Sequence, residues 1–186
     1  MILFLSSALT FAAPPGVYVT ASQRFGEVGI TTYDLDFLGY KDEGSLAFAC
    51  IGCGAASLKL SAGGEKIRGA AEIEGYRYSD DNWGAGDGRH DGWSTVSVGA
   101  DLVAHEGVTI SAMVGSRGPS VDYEENTIDG FSVLTIGAGL TVLDDGRNIF
   151  AVGPSLAFSH YSLGDFYDEH TTMLSVKLSI SRRLGE

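Results

Sequence analysis

The sequence predicts an all-β protein, an eight-stranded antiparallel up-and-down transmembrane β-barrel, and three observations carry that expectation. The first is a period of two. Leu134, Ile136, Ala138, Leu140 and Val142 alternate with Thr135, Gly137, Gly139 and Thr141, as in a strand with one apolar face. The second is the rhythm of the connections, which run short, long, short, long, short, medium, as tight periplasmic turns and longer outer loops do. The third is where charge is missing. Segments 45–58, 107–116, 131–143 and 149–164 hold no Asp, Glu, Lys or Arg, whereas a strand surface facing water normally carries them. Their non-bulky face is Gly, Ala, Ser and Thr. Such side chains suit the narrow interior of a small barrel and leave the bulky face for lipid.

Taken in order, residues 1–13 are an apolar run ending in small residues, Thr10-Phe11-Ala12-Ala13, the pattern of the second half of a secretory signal peptide. Residues 14–186 then form a single barrel domain. Val17–Arg24 and Val28–Leu38 both qualify as the first strand, either as one long strand bent at a glycine or as alternatives. Strand two is Ser45–Leu60, with Leu46, Phe48 and Cys50 expected to share a face with Leu58 and Leu60. A Gly63-Gly64 turn leads to strand three, Ile67–Tyr78. A long polar connection precedes strand four, where Val96, Val98, Ala100 and Leu102 oppose Thr95, Ser97, Gly99 and Asp101. After Glu106-Gly107, strand five sets Val108, Ile110, Ala112 and Val114 against Thr109, Ser111, Met113 and Gly115. Strands six to eight occupy Phe131 to Arg183, joined by the turn Asp144–Asn148 and by a loop around Gly164–His170. Trp93, Phe131, Phe158 and Tyr161 stand near the loop ends, where an aromatic girdle would lie.

Composition excludes whole classes of function. A net charge of −12 provides no basic face for nucleic acid. No apolar run is long enough for a transmembrane helix, which needs about 18 residues or more. No phosphate-binding glycine loop and no His/Cys metal cluster is legible, and no cofactor is expected. Cys50 and Cys53 have no further ligands at metal spacing. On a continuous strand, positions three apart face opposite ways, so the pair reads as two small apolar residues rather than a disulfide.

The few charges inside strands (Arg68, Glu72, Glu74, Asp101 and Lys177) all fall on the inward parity. Buried charges persist only when paired, so an interior polar network among these five residues is expected.

This pattern over residues 17–184 resembles the small eight-stranded outer-membrane barrels of the OmpA/OmpX and opacity-protein type. The resemblance is one of strands, turns and loops. It implies export to a bacterial outer membrane, contact with outer-membrane lipid, and a barrel that is no open pore. The function then expected is presentation of acidic surface loops, in an envelope-structural or surface-interaction role, with cations or basic surface partners as what such loops would bind. An enzymatic alternative rests on His160 and Ser162, two apart on one strand face. This resembles the His-x-Ser pattern of the lipid A 3-O-deacylase barrels, and in this chain the acids available to complete the set are Asp165, Asp168 and Glu169, of which Glu169 is taken. A second alternative is a soluble secreted barrel binding a small apolar ligand.

Overall fold

The computed structural model describes residues 15–51, 53–79, 90–104, 107–117, 130–163, 165 and 167–185. Residues 1–13, expected above to be an export signal, and most of the two long acidic connections lie outside them. Nine strands are formed: β1 (Gly16–Phe37), β2 (Tyr40–Cys50), β3 (Gly54–Gly63), β4 (Ile67–Ser79), β5 (His90–Val103), β6 (Val108–Arg117), β7 (Gly130–Asp144), β8 (Asn148–Leu163) and β9 (Tyr167–Leu184). Every ladder is antiparallel. The sheet closes where β1 pairs with β9 from Val17↔Leu184 to Leu35↔Tyr167. Closure removes the sheet edges at β1 and β9, and among the described residues β2 alone keeps a single partner strand.

Nine strands fill eight positions because one position is shared. The first half of β1 pairs with β3 (Gly16↔Gly63 to Gln23↔Ala56), and its second half pairs with β2 on that same edge (Glu27↔Cys50 to Phe37↔Tyr40). The two candidate first strands are therefore one long strand. It bends at Gly26, whose φ of +58° suits glycine and whose extra residue makes a bulge between Phe25 and Glu27. Opposite the bulge, the expected strand Ser45–Leu60 is broken. A Cβ on Gly54 would collide with the Arg24 carbonyl oxygen, so the chain re-enters the sheet there on a residue without one.

The break corrects two expectations. It flips the facing: Leu46 and Phe48 align with inward Thr31 and Gly29, while Leu58 and Leu60 align with outward Ala21 and Val19. Phe48 lies over Gly29, and Tyr33 lies over Gly44, each aromatic ring covering the glycine opposite. It also frees the cysteines. Cys50 and Cys53 form a disulfide with Cα atoms 5.4 Å apart. The strand argument fails because the chain leaves strand geometry after Cys50, so the two side chains are not held on opposite faces. A disulfide suits an oxidising compartment. Alkylation before and after reduction checks it: two additional thiols are expected to react only in the reduced, denatured chain.

Elsewhere the parity is as the sequence implies. Leu58, Ile73, Val98, Leu140 and Val142 stand on the outer face and are exposed to the surroundings. Thr20, Ser57, Ser61, Thr95, Ser97, Ser155 and Ser175 are buried inside, with Tyr18 and Met113 the bulky side chains among them. So broad an apolar exterior is what lipid, rather than water, would cover. Phe158 is on the outer face, but Tyr161 is not: it turns inward and meets Tyr167 edge-on at 5.8 Å. It belongs to no outer girdle. The side chains of Trp93 and Phe131 lie outside the described part.

The β7–β8 turn is tied by its own side chains. Asp145 Oδ1 accepts the backbone N–H groups of Arg147 (2.9 Å) and Asn148 (2.7 Å), and Asp144 Oδ1 accepts that of Gly146, whose φ is +86°. The Asn148 side chain also donates to Asp145, and these bonds hold the Asp145 carboxyl below the usual carboxylate range. At the opposite end, β1 and β2 join through Leu38 and Gly39, both at positive φ, as a two-residue hairpin turn requires.

Candidate functional site

Two polar constellations stand apart from the apolar framework: one inside the barrel and one on its outer rim. The interior one is built by strands that alternate small and charged residues on the inward face. Lys59 Nζ donates to both oxygens of Asp101 at 2.8 Å, and Ser111 Oγ donates to Oδ1 at 2.7 Å. Lys177 Nζ donates to Glu72 at 2.6 Å, and Ser57 Oγ donates to the same oxygen at 2.5 Å. Arg24 Nη2 donates to Glu74 at 2.6 Å. The Arg68 guanidinium lies 4.2 Å from the centre of the Tyr18 ring.

Each ion pair joins strands that are not adjacent, skipping one or two strands along the same wall. Lys177 on β9 reaches Glu72 on β4 past β1 and β3, and Lys59 on β3 reaches Asp101 on β5 past β4. The five charges expected inside are placed there, and three more join them: Arg24, Glu27 and Lys59, all buried. Lys59 sits between outward Leu58 and Leu60, a signal visible in the sequence. Arg24 and Glu27 are three apart and face the same way only because the Gly26 bulge intervenes. The charges crowd one wall, formed by β1, β3, β4, β5 and β9. The facing wall offers Thr135, Gly137 and Ala151, and the interior cavity lies between the two.

The rim constellation is on the other face. The β8–β9 hairpin sets His160 opposite His170 and Ser162 opposite Asp168. Even-numbered residues of both strands point outward, as Phe158 and Leu174 show, so all four share the outer surface just beyond the apolar band. The imidazoles of His160 and His170 stack with centroids 4.5 Å apart and planes 12° from parallel. His160 Nε2 is hydrogen-bonded to Asp168 Oδ1, and His170 Nε2 lies 3.6 Å from Asp168 Oδ2.

The acid beside His160 is thus Asp168. Glu169 lies on the inward parity, where it accepts from Tyr167 Oη at 2.7 Å and Thr171 Oγ1 at 3.2 Å. Burial and the Glu169 carboxylate push the Tyr167 hydroxyl well up, so it stays a donor. Among the described residues no hydrogen bond joins Ser162 to His160.

The architecture defines a class: the chain has the fold of the small eight-stranded outer-membrane β-barrels. Among solved structures, the crystal structure of Neisserial surface protein A is similar at 14% identity, covering 91% of this chain and 97% of that one, with a TM-score of 0.50. Ail, the attachment invasion locus protein of Yersinia pestis, is 13% identical over 88% of this chain and 99% of its own, with a TM-score of 0.41. The outer membrane protein OprG of Pseudomonas aeruginosa is 8% identical over 92% of this chain and 99% of its own, with a TM-score of 0.43. At such identities the likeness is one of fold. No protein-family model and no curated protein sequence matches the chain.

Proposed function

We propose that the chain is an exported bacterial outer-membrane barrel that anchors acidic surface loops, in a structural or surface-interaction role, and is no open pore. The observation that carries this reading is the exterior. Bulky aliphatic side chains cover the outer faces of β3 to β9, while the charges of those strands' middle stretches turn inward and pair. A barrel in water would place these two sets the other way round. The small and polar side chains on the inward faces, with ion pairs along one wall, support a narrow interior that is no open pore. The apolar exterior assigns outer-membrane lipid as a partner, and the long connections around Asp80–Asp91 and Asp122–Asp129, rich in carboxylates, assign cations and basic surfaces.

A lipid hydrolase at the rim needs Ser162 engaged by His160, and while Asp168 is bonded to His160, among the described residues no hydrogen bond joins His160 to Ser162. The anchoring role is therefore the reading we adopt. The test is to express the chain with an intact export signal, fractionate the envelope, and compare gel mobility with and without boiling. Enrichment in the outer membrane with a heat-dependent mobility shift is expected. A soluble product without a shift would overturn the reading and make the bulky faces a ligand-binding or core surface.

A further inference from the structure

We propose that His160, Asp168 and His170 bind one divalent transition-metal ion of the zinc type on the outer rim of the barrel. The three side chains offer two imidazole nitrogens and one carboxylate oxygen, and these ligand atoms all lie within 4.8 Å of one another. The hairpin fixes the arrangement. His160 and His170 are directly opposed across the β8–β9 ladder, and Asp168 is two residues from His170 on the same face, diagonal to His160. Metal–ligand bonds of about 2.0–2.2 Å can be reached from this spacing by rotating the exposed side chains, with no change of backbone.

The surroundings supply a second reason, independent of the histidines. Asp168 faces Asp34 on β1, and Asp34 in turn faces Glu43 on β2. Carboxylates directly opposite one another across a ladder repel. The nearby cation on this face, Lys41, is held by Asp36 at 2.5 Å, one pair further along the hairpin. A row of carboxylates with its local lysine already engaged is a site of negative potential, and a bound dication would relieve it.

The donor set selects the ion. Mixed imidazole and carboxylate ligation suits Zn²⁺, Cu²⁺ or Ni²⁺, whereas Ca²⁺ and Mg²⁺ take oxygen ligands. With three protein ligands the ion keeps an open position for water, beside Ser162 across from Asp168. His170 is largely exposed, so the ion would be reached from the aqueous side of the rim.

The experiment uses the full barrel refolded in detergent and stripped with a chelator. Zn²⁺ is titrated by calorimetry, and Co²⁺ by its visible absorption. One zinc equivalent is expected, with Co²⁺ bands of a nitrogen- and oxygen-ligated site. Asp168→Asn and His170→Ala are each expected to weaken binding by about tenfold or more, while Asp34→Asn weakens it less. These residues are exposed, and an unchanged heat-dependent mobility shift confirms that each variant is folded. Equal Zn²⁺ affinity in wild type and in the His160→Ala/His170→Ala double variant would overturn the proposal by moving the ion to His90, His105 or the acidic loops. Effective competition by Mg²⁺ or Ca²⁺ at equal concentration would overturn it as well.

Discussion

Replacing Asp101 by alanine is expected to cost about 3–5 kcal/mol of unfolding free energy, because it strands a buried ammonium. Lys59 gives both of its short hydrogen bonds to this one carboxylate, and both side chains are almost wholly enclosed. Among the described residues the other hydrogen-bond partner of Lys59 Nζ is Ser111 Oγ at 3.4 Å, too long to replace a carboxylate. The comparison that isolates the cause is the double variant Lys59→Met/Asp101→Leu. It removes both charges at similar volume and is expected to recover most of the loss. Urea titration of the barrel in lipid vesicles measures both. A double variant no more stable than Asp101→Ala would mean that shape, and not charge pairing, holds this part of the lumen.

Val98→Arg is expected to cost about 2–4 kcal/mol in a bilayer. Val98 is midway along β5, faces outward between Ala71 and Val114, and is exposed. It makes no interior contact to lose, so in a water-soluble barrel the same change would fall within about 0.5 kcal/mol of zero. The substitution therefore reports on the surroundings of the barrel rather than on its packing. Measured in detergent-free buffer and in vesicles, a loss confined to vesicles supports lipid at this face, and no loss in vesicles would count against it.

These two positions also mark how much could be read from residues alone. Val98 and Asp101 were legible because β5 has no irregularity: parity runs unbroken from Thr95 to Leu102. Leu46 and Phe48 face the opposite way from Leu58 and Leu60 because parity does not carry through the break between Cys50 and Gly54. A bulge or a broken strand resets alternation, and only the register against β1 reveals the reset. The same break hid the disulfide. Lys59 follows the charge-free segment 45–58 by one residue, and its place between Leu58 and Leu60 gives it the inward parity.

At the rim, His160 and Ser162 were visible as neighbours on one face. Their partners were not, because Asp168 and His170 become neighbours only when the hairpin pairs Leu163 with Tyr167. Centring the turn on Asp165 would have delivered both pairs, and with them Asp168 in place of Glu169.

The seam between β1 and β9 has a meaning for time as well as for shape. Each other seam joins strands that follow one another in the chain, except that β2 intervenes between β1 and β3. This one joins Val17 to Leu184 and runs as far as Leu35 and Tyr167, so its formation has to wait until nearly the whole chain is gathered. It is also the most extensive ladder in the sheet. The last contact made on the way in is therefore the hardest to undo on the way out. A molecule closed in this order assembles slowly and, once shut, opens more slowly still.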